Sequence, residues 1–127
     1  MYVKNNDNYY YLTLMNENYI HPKRPRTATN SAIMKGAYKF KNVKNPKLRL
    51  LASGLTLRFA ISAANILSKM NVAAEIWSVT SFNELAREGT AVDREKFYES
   101  NQKKSYVEEC FGTQMPTLAA VSYTHLR

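Results

Sequence analysis

The stretch from Leu48 to Phe82, LRLLASGLTLRFAISAANILSKMNVAAEIWSVTSF, constrains the fold most, because its apolar period changes twice within one short run. Leu48 to Ala52 is nearly unbroken in its apolarity, the pattern of a strand buried on both faces of a parallel sheet, and Ser53-Gly54 ends it. From Leu57 onward the helical period takes over, with Ala60, Ala63, Ala64, Leu67 and Met70 spaced by threes and fours. Together with Phe59, packing of that face is expected to contribute on the order of 8 kcal/mol before entropy, enough to dock a helix on a sheet. Asn71 closes the helix, and Glu75 to Val79 (EIWSV) returns to β-rich composition. Two parallel strands joined by a crossover helix are therefore predicted, and the class is α/β.

Other segments extend this unit. Tyr9 to Met15 (YYYLTLM) reads as an interior strand, and Asn16 to Tyr19 as the loop at its carboxyl end, where α/β proteins often place ligands. Glu17 is the carboxylate in that loop. Ile20 to Arg26 (IHPKRPR) carries two prolines, which exclude regular helix or sheet interior and mark a surface connection. Thr27 to Gly36 is predicted to hold a short helical turn, followed by a surface strand over Ala37 to Lys41. Downstream, Ser81 and Glu84 form an S-x-x-E capping box, opening a short helix that ends at Gly89. A second short surface helix is predicted over Asp93 to Asn101, one or two helical turns over Tyr106 to Phe111, and a third strand over Thr117 to Val121. The alternation favours a mainly parallel sheet between helix layers.

Composition bounds the function classes. A chain of 127 residues, 45% hydrophobic, suits one globular domain or pieces of two. No apolar run approaches the roughly 18 residues of a membrane span, and the start MYVKNNDN lacks a signal-peptide core, so a cytoplasmic location is expected. Cys110 is the single cysteine, which excludes an internal disulfide and points to an inert, buried thiol. The net charge of +8 is compatible with acidic partners. The basic residues, however, gather across Lys23, Arg24, Arg26, Lys35, Lys39, Lys41, Lys44, Lys47 and Arg49, mostly in a connecting segment, without the helix or signature of a nucleic-acid reader.

The sequence holds no P-loop, no G-x-G-x-x-G after a strand, no G-x-S-x-G and no histidine pair at metal spacing. Glu108-Glu109 are adjacent carboxylates, but neighbours on a helix point apart, so a solvated face is the better reading. His21, beside Pro22, is read as a solvated linker residue rather than a general base. Ser53-Gly54 before a helix offers backbone N–H groups to an anion, set against a plain tight turn.

The order YYYLTLMNENY, KGAYKF, LLASGLTLRFAISAANIL and IWSVTSFNELAREG resembles the homodimeric E1 component of the pyruvate dehydrogenase complex. MNENY, the K-G-x-Y-K stretch from Lys35 to Lys39, and S-V-T-S-F-x-E-L-A-R from Ser78 to Arg87 carry the resemblance most specifically. It implies a longer polypeptide of three domains that binds thiamine diphosphate with Mg²⁺ between the subunits of a dimer. The implied reaction is decarboxylation of pyruvate and transfer of the acetyl group to a lipoyl group on the E2 component. Residues 1–19 would then be the last strand and exit loop of the pyrimidine-binding domain, 20–47 an inter-domain linker, and 48–127 a partial transketolase C-terminal-like domain. No catalytic, cofactor-binding or metal-binding residue carries over, so the chain alone is expected to be inactive and to bind no cofactor. The linker departs from the resemblance in being basic at Lys23, Arg24 and Arg26, and the ending VSYTHLR does not continue the pattern. An incomplete gene, or a foreign tail over 121–127, is the expectation. A stand-alone, non-catalytic interaction domain of transketolase C-terminal type is the alternative, and nucleic-acid binding through the basic linker a third.

Overall fold

The computed structural model describes residues 18–99 and 103–121. The strand expected at Tyr9 to Met15, Glu17, and the tail beyond residue 121 lie outside them. Within them run α1 (Asn30–Met34), β1 (Ala37–Lys41), β2 (Leu48–Ala52), α2 (Thr56–Lys69), β3 (Ala74–Val79), α3 (Phe82–Glu99), α4 (Tyr106–Phe111) and β4 (Thr117–Ala120). The four strands form one sheet in the order β1-β3-β2-β4. β2 pairs parallel with both β3 and β4, and β1 pairs antiparallel with β3, so the sheet is mixed and mostly parallel.

The central β2-α2-β3 unit has the form its periodicity predicts. All six residues of β3 are buried, as are the last four of β2. Alternate residues serve opposite faces. Leu50, Ala52, Ala74 and Ile76 pack beneath Leu57, Ala60 and Ala64 of α2. On the other face Ala37, Leu51, Trp77 and Val79 meet Leu85 of α3 and the Tyr106, Val107, Cys110 and Phe111 side of α4. The result is three layers, α2 on one side and α3 with α4 on the other.

Three expectations need correction. Phe59 and Met70 do not join the packed face of α2: they are 56% and 68% exposed, and with Ile66 they form an outward apolar stripe. The helix is held by Leu57, Ala60 and Ala64, with Ile61, Ala63 and Leu67 packed alongside, so the packed face is turned away from Phe59 and Met70. Gly89 does not end a helix. α3 runs through it as one helix of 18 residues, because Leu85 and Val92 on either side are both buried and hold the turns in line. The capping box at Ser81 is half formed: Ser81 Oγ accepts from the Glu84 amide at 3.1 Å, while the Ser81 amide donates to the Gly36 carbonyl and Glu84 pairs with Arg87. The surface strand expected over Ala37 to Lys41 is present as β1 at the edge of the sheet, with Ala37 fully buried.

Gly36 is the residue that brings β1 into place. Its φ of +103° is costly for a side-chain-bearing residue, and a Cβ there would meet the Ser81 carbonyl at 2.7 Å. Its own carbonyl accepts from the Thr80 and Ser81 amides, locking the start of β1 to the end of β3. At the other edge, β4 has three exposed residues, with Leu118 at 60% exposure.

Candidate functional site

Two places concentrate polar side chains. The first is a cluster inside the α3/α4 face. The parallel register sets Arg49 of β2 opposite Glu75 of β3. Both side chains are almost fully buried, and Arg49 Nε donates to Glu75 Oε1 at 2.6 Å. Trp77 Nε1 donates to the same oxygen at 3.0 Å, and Lys39 Nζ lies 3.0 Å from Glu75 Oε2. Arg49 also donates to the Phe111 carbonyl at 3.1 Å, with its guanidinium over the Phe111 ring, and that ring stands edge-on to Trp77. Burial alone would raise the Glu75 carboxyl, but the hydrogen bonds from Arg49, Trp77 and Lys39 outweigh it and hold the group below the usual carboxylate value. No fully buried side-chain nitrogen or oxygen among the described residues lacks a partner, so the cluster fastens the carboxyl end of α4 to the sheet rather than waiting for a substrate.

Glu108, of the carboxylate pair, and the thiol singled out in the sequence are also engaged structurally. Glu108 closes a full capping box with Ser105 and pairs with Lys96 at 2.8 Å, which holds its carboxyl below the usual value. Burial pushes the Cys110 thiol up, so little thiolate forms at neutral pH. Burial together with the Cys110 contact pushes the neighbouring Tyr106 phenol up to about 12. Tyr106 donates its hydroxyl proton to the Ala37 carbonyl at 2.8 Å, tying α4 to β1.

The second place is a crevice of about 330 Å³ at the carboxyl ends of β2 and β3, where ligands commonly bind in α/β sheets. It brings together two features that the sequence presents separately: His21, and Ser53-Gly54 at the start of α2. His21 is exposed, as expected of a connecting segment. Its ring lies tilted against Tyr19, with centroids 5.2 Å apart, and Tyr19 in turn lies beneath the Arg58 guanidinium. Tyr38, Phe40, Leu57 and Ser78 wall the crevice, with Val79 and Thr80 at its end. Gly54 turns with φ at +56° and α2 starts without a side-chain cap. Thr56 Oγ1 accepts instead from the Ser53 amide at 3.0 Å and donates to the Ala120 carbonyl at 2.7 Å, joining β4 to the head of α2. Ser78 and Tyr38 escape detection in the sequence, because only the antiparallel register of β1 with β3 sets them side by side.

Neither place builds a metal-diphosphate site by itself. Among the described residues no group of three or more His, Cys, Asp or Glu side chains is arranged to hold a metal ion, and the crevice wall carries no carboxylate. Among them, too, no helix is long and apolar enough to cross a membrane.

Comparison with known proteins gives this architecture a family. Residues 36–126 match the model of the transketolase-like TK C-terminal domain. The chain belongs to that family. The match begins at Gly36, the residue that seats β1 against β3. Among curated proteins, the chain is 42% identical over 127 aligned positions to the pyruvate dehydrogenase E1 component of Pseudomonas aeruginosa, covering 94% of this chain and 14% of that protein. It is 48% identical over 99 positions to the E1 component of Cupriavidus necator, covering 74% of this chain and 11% of that protein. The chain thus spans about a seventh or less of the length of these curated relatives. Among solved structures, a transketolase from Pichia stipitis in complex with xylulose 5-phosphate superposes with a TM-score of 0.56 at 16% identity, over 80% of this chain and 13% of that one. That likeness concerns the fold of the transketolase-like C-terminal domain.

Proposed function

We propose that this chain is the C-terminal-domain part of a pyruvate dehydrogenase E1 component, and that it supplies structure rather than chemistry to that enzyme. The observation that carries the reading is the 42% identity extending over 94% of the chain to an E1 component. The parent enzyme would decarboxylate pyruvate with thiamine diphosphate and Mg²⁺ and pass the acetyl group to the lipoyl group of E2, working in the cytoplasm as a homodimer. Among the described residues no group of side chains is arranged to hold that metal, and on this reading no catalytic, cofactor-binding or metal-binding role is assigned to them.

On this reading the C-terminal domain begins at Gly36 with β1, residues 20–35 form the connection, and residues 1–19 belong to the preceding pyrimidine-binding domain. The outward stripe of Phe59, Ile66 and Met70 on α2 and the open outer edge of β4 are surfaces that further parts of a larger enzyme would cover. The same stripe fits a stand-alone interaction domain of this fold, which is the competing reading.

A chimera separates them. Residues 36–121 would replace the matching stretch of the Pseudomonas aeruginosa E1 component, and dimerisation and pyruvate-dependent activity with E2 would be measured. The E1 reading expects an active dimer. A folded chimera that neither dimerises nor turns over would overturn it in favour of the interaction domain.

A further inference from the structure

The crevice at the carboxyl ends of β2 and β3 holds an unmet set of hydrogen-bond donors. Ser78 is only 6% exposed, yet its hydroxyl has no partner among the described residues. No fully sealed side-chain polar atom there lacks a partner, so the Ser78 oxygen must open onto the crevice it lines. Tyr38, Phe40 and Leu57 share that side of the sheet with it. A buried hydroxyl left unpaired is costly, and one that faces a crevice recovers the cost when a ligand accepts from it.

The head of α2 supplies donors of the same kind. Its cap position, Leu55, makes no side-chain cap bond, and the first turn contains no acidic residue. The Thr56 and Leu57 amides turn back to the Ser53 and Gly54 carbonyls, and the Ser53 amide is taken by Thr56 Oγ1. The Gly54 and Leu55 amides have no acceptor among the described residues. Such N–H groups at the start of a helix of 14 residues carry the positive end of its dipole. Arg58 in the first turn, with its guanidinium over the Phe59 and Tyr19 rings, adds a positive charge to the same end of α2. The wall has no carboxylate to oppose an anion, and Phe40 and Leu57 give it an apolar side.

We infer that this crevice binds a small phosphate monoester, with the phosphate on the Gly54 and Leu55 amides and the Ser78 hydroxyl, and the carbon body against Phe40 and Leu57. Phosphate is favoured over carboxylate because Ser78 stands beside Ala52, two residues before Gly54, so its hydroxyl and the two amides offer three donors for three peripheral oxygens, where a carboxylate offers two.

The test is titration of the full 127-residue chain, followed by amide NMR, with phenyl phosphate, inorganic phosphate and benzoate. Saturable shifts centred on Gly54 and Leu55 are expected for both phosphates. Phenyl phosphate should bind more tightly than inorganic phosphate, through its ring, and about tenfold more tightly than benzoate. Ser78→Ala should weaken phenyl phosphate about tenfold without lowering the melting temperature, since the alanine removes a donor and buries no new polar group. The inference is overturned if the Gly54 and Leu55 amides show no saturable shift, if benzoate binds as well as phenyl phosphate, or if Ser78→Ala binds unchanged. It concerns only this chain's own crevice, so failure here does not bear on the E1 reading, which the chimera tests separately.

Discussion

The two faces of the sheet are built on different principles. Beneath α2 the contacts are purely apolar, Leu57, Ala60 and Ala64 of the helix against Leu50, Ala52 and Ile76. Beneath α3 and α4 the centre is a buried ion pair, Arg49 with Glu75, roofed by Trp77 and Phe111. The first face is held by the removal of apolar area from water and tolerates approximate fits. The second depends on every partner being present, because removing one member strands a charge in the interior.

The largest expected effect follows from that difference. Glu75→Ala should cost about 3–5 kcal/mol in denaturant unfolding, since it leaves Arg49 buried without its carboxylate and Trp77 without an acceptor. Ile76→Ala, one position along the same strand but on the apolar face, should cost about 3 kcal/mol through cavity formation, with no charge effect. Acid distinguishes the two variants further. The Glu75 carboxyl is held below its unfolded value, so its contribution is fully present above that value and is lost as pH falls through the folded one. Melting curves below about pH 4.5 should therefore lose this component in the parent chain and in Ile76→Ala, but not in Glu75→Ala, where the group is gone. Equal acid sensitivity of this component in all three would break the comparison.

Smaller effects probe the helices of the polar face. Ser105→Ala should cost about 1 kcal/mol, because the serine accepts from the Glu108 amide and is the N-cap of α4. Gly89→Ala should stabilise by about 0.5–1 kcal/mol, since the residue is inside α3 and an added Cβ meets nothing within 4 Å. Thermal melts of the two single variants, compared with the parent chain, check both signs.

The apolar face was the legible one. The strand, turn and helix from Leu48 to Lys69 follow from the period of their side chains, and the parallel return to β3 from the length of the crossover. The polar face was not, because Arg49 and Glu75 are 26 residues apart and become neighbours only through the parallel register. A local reading likewise takes Gly89 for a stop, whereas burial of Leu85 and Val92 carries the helix through it. Phe59 and Met70 are misplaced by the same limitation: both fall within a wide apolar arc, and only the sheet decides which part of that arc is covered. At the crevice, Ser53-Gly54 was visible as a turn before a helix, but Ser78 is one serine among several until β1 lies beside β3.

On the proposed reading the buried cluster is a fastening that takes no part in the reaction. The most direct measurement is the pyruvate-dependent activity of the E1 chimera carrying Arg49→Met with Glu75→Gln. This pair removes both charges while keeping an oxygen to accept from Trp77. Specific activity per folded dimer within about twofold of the unsubstituted chimera is expected, as for a structural pair replaced by neutral groups of similar size. A folded dimer whose activity falls about a hundredfold or more would contradict it, because the cluster would then be acting on the reaction rather than on the fold.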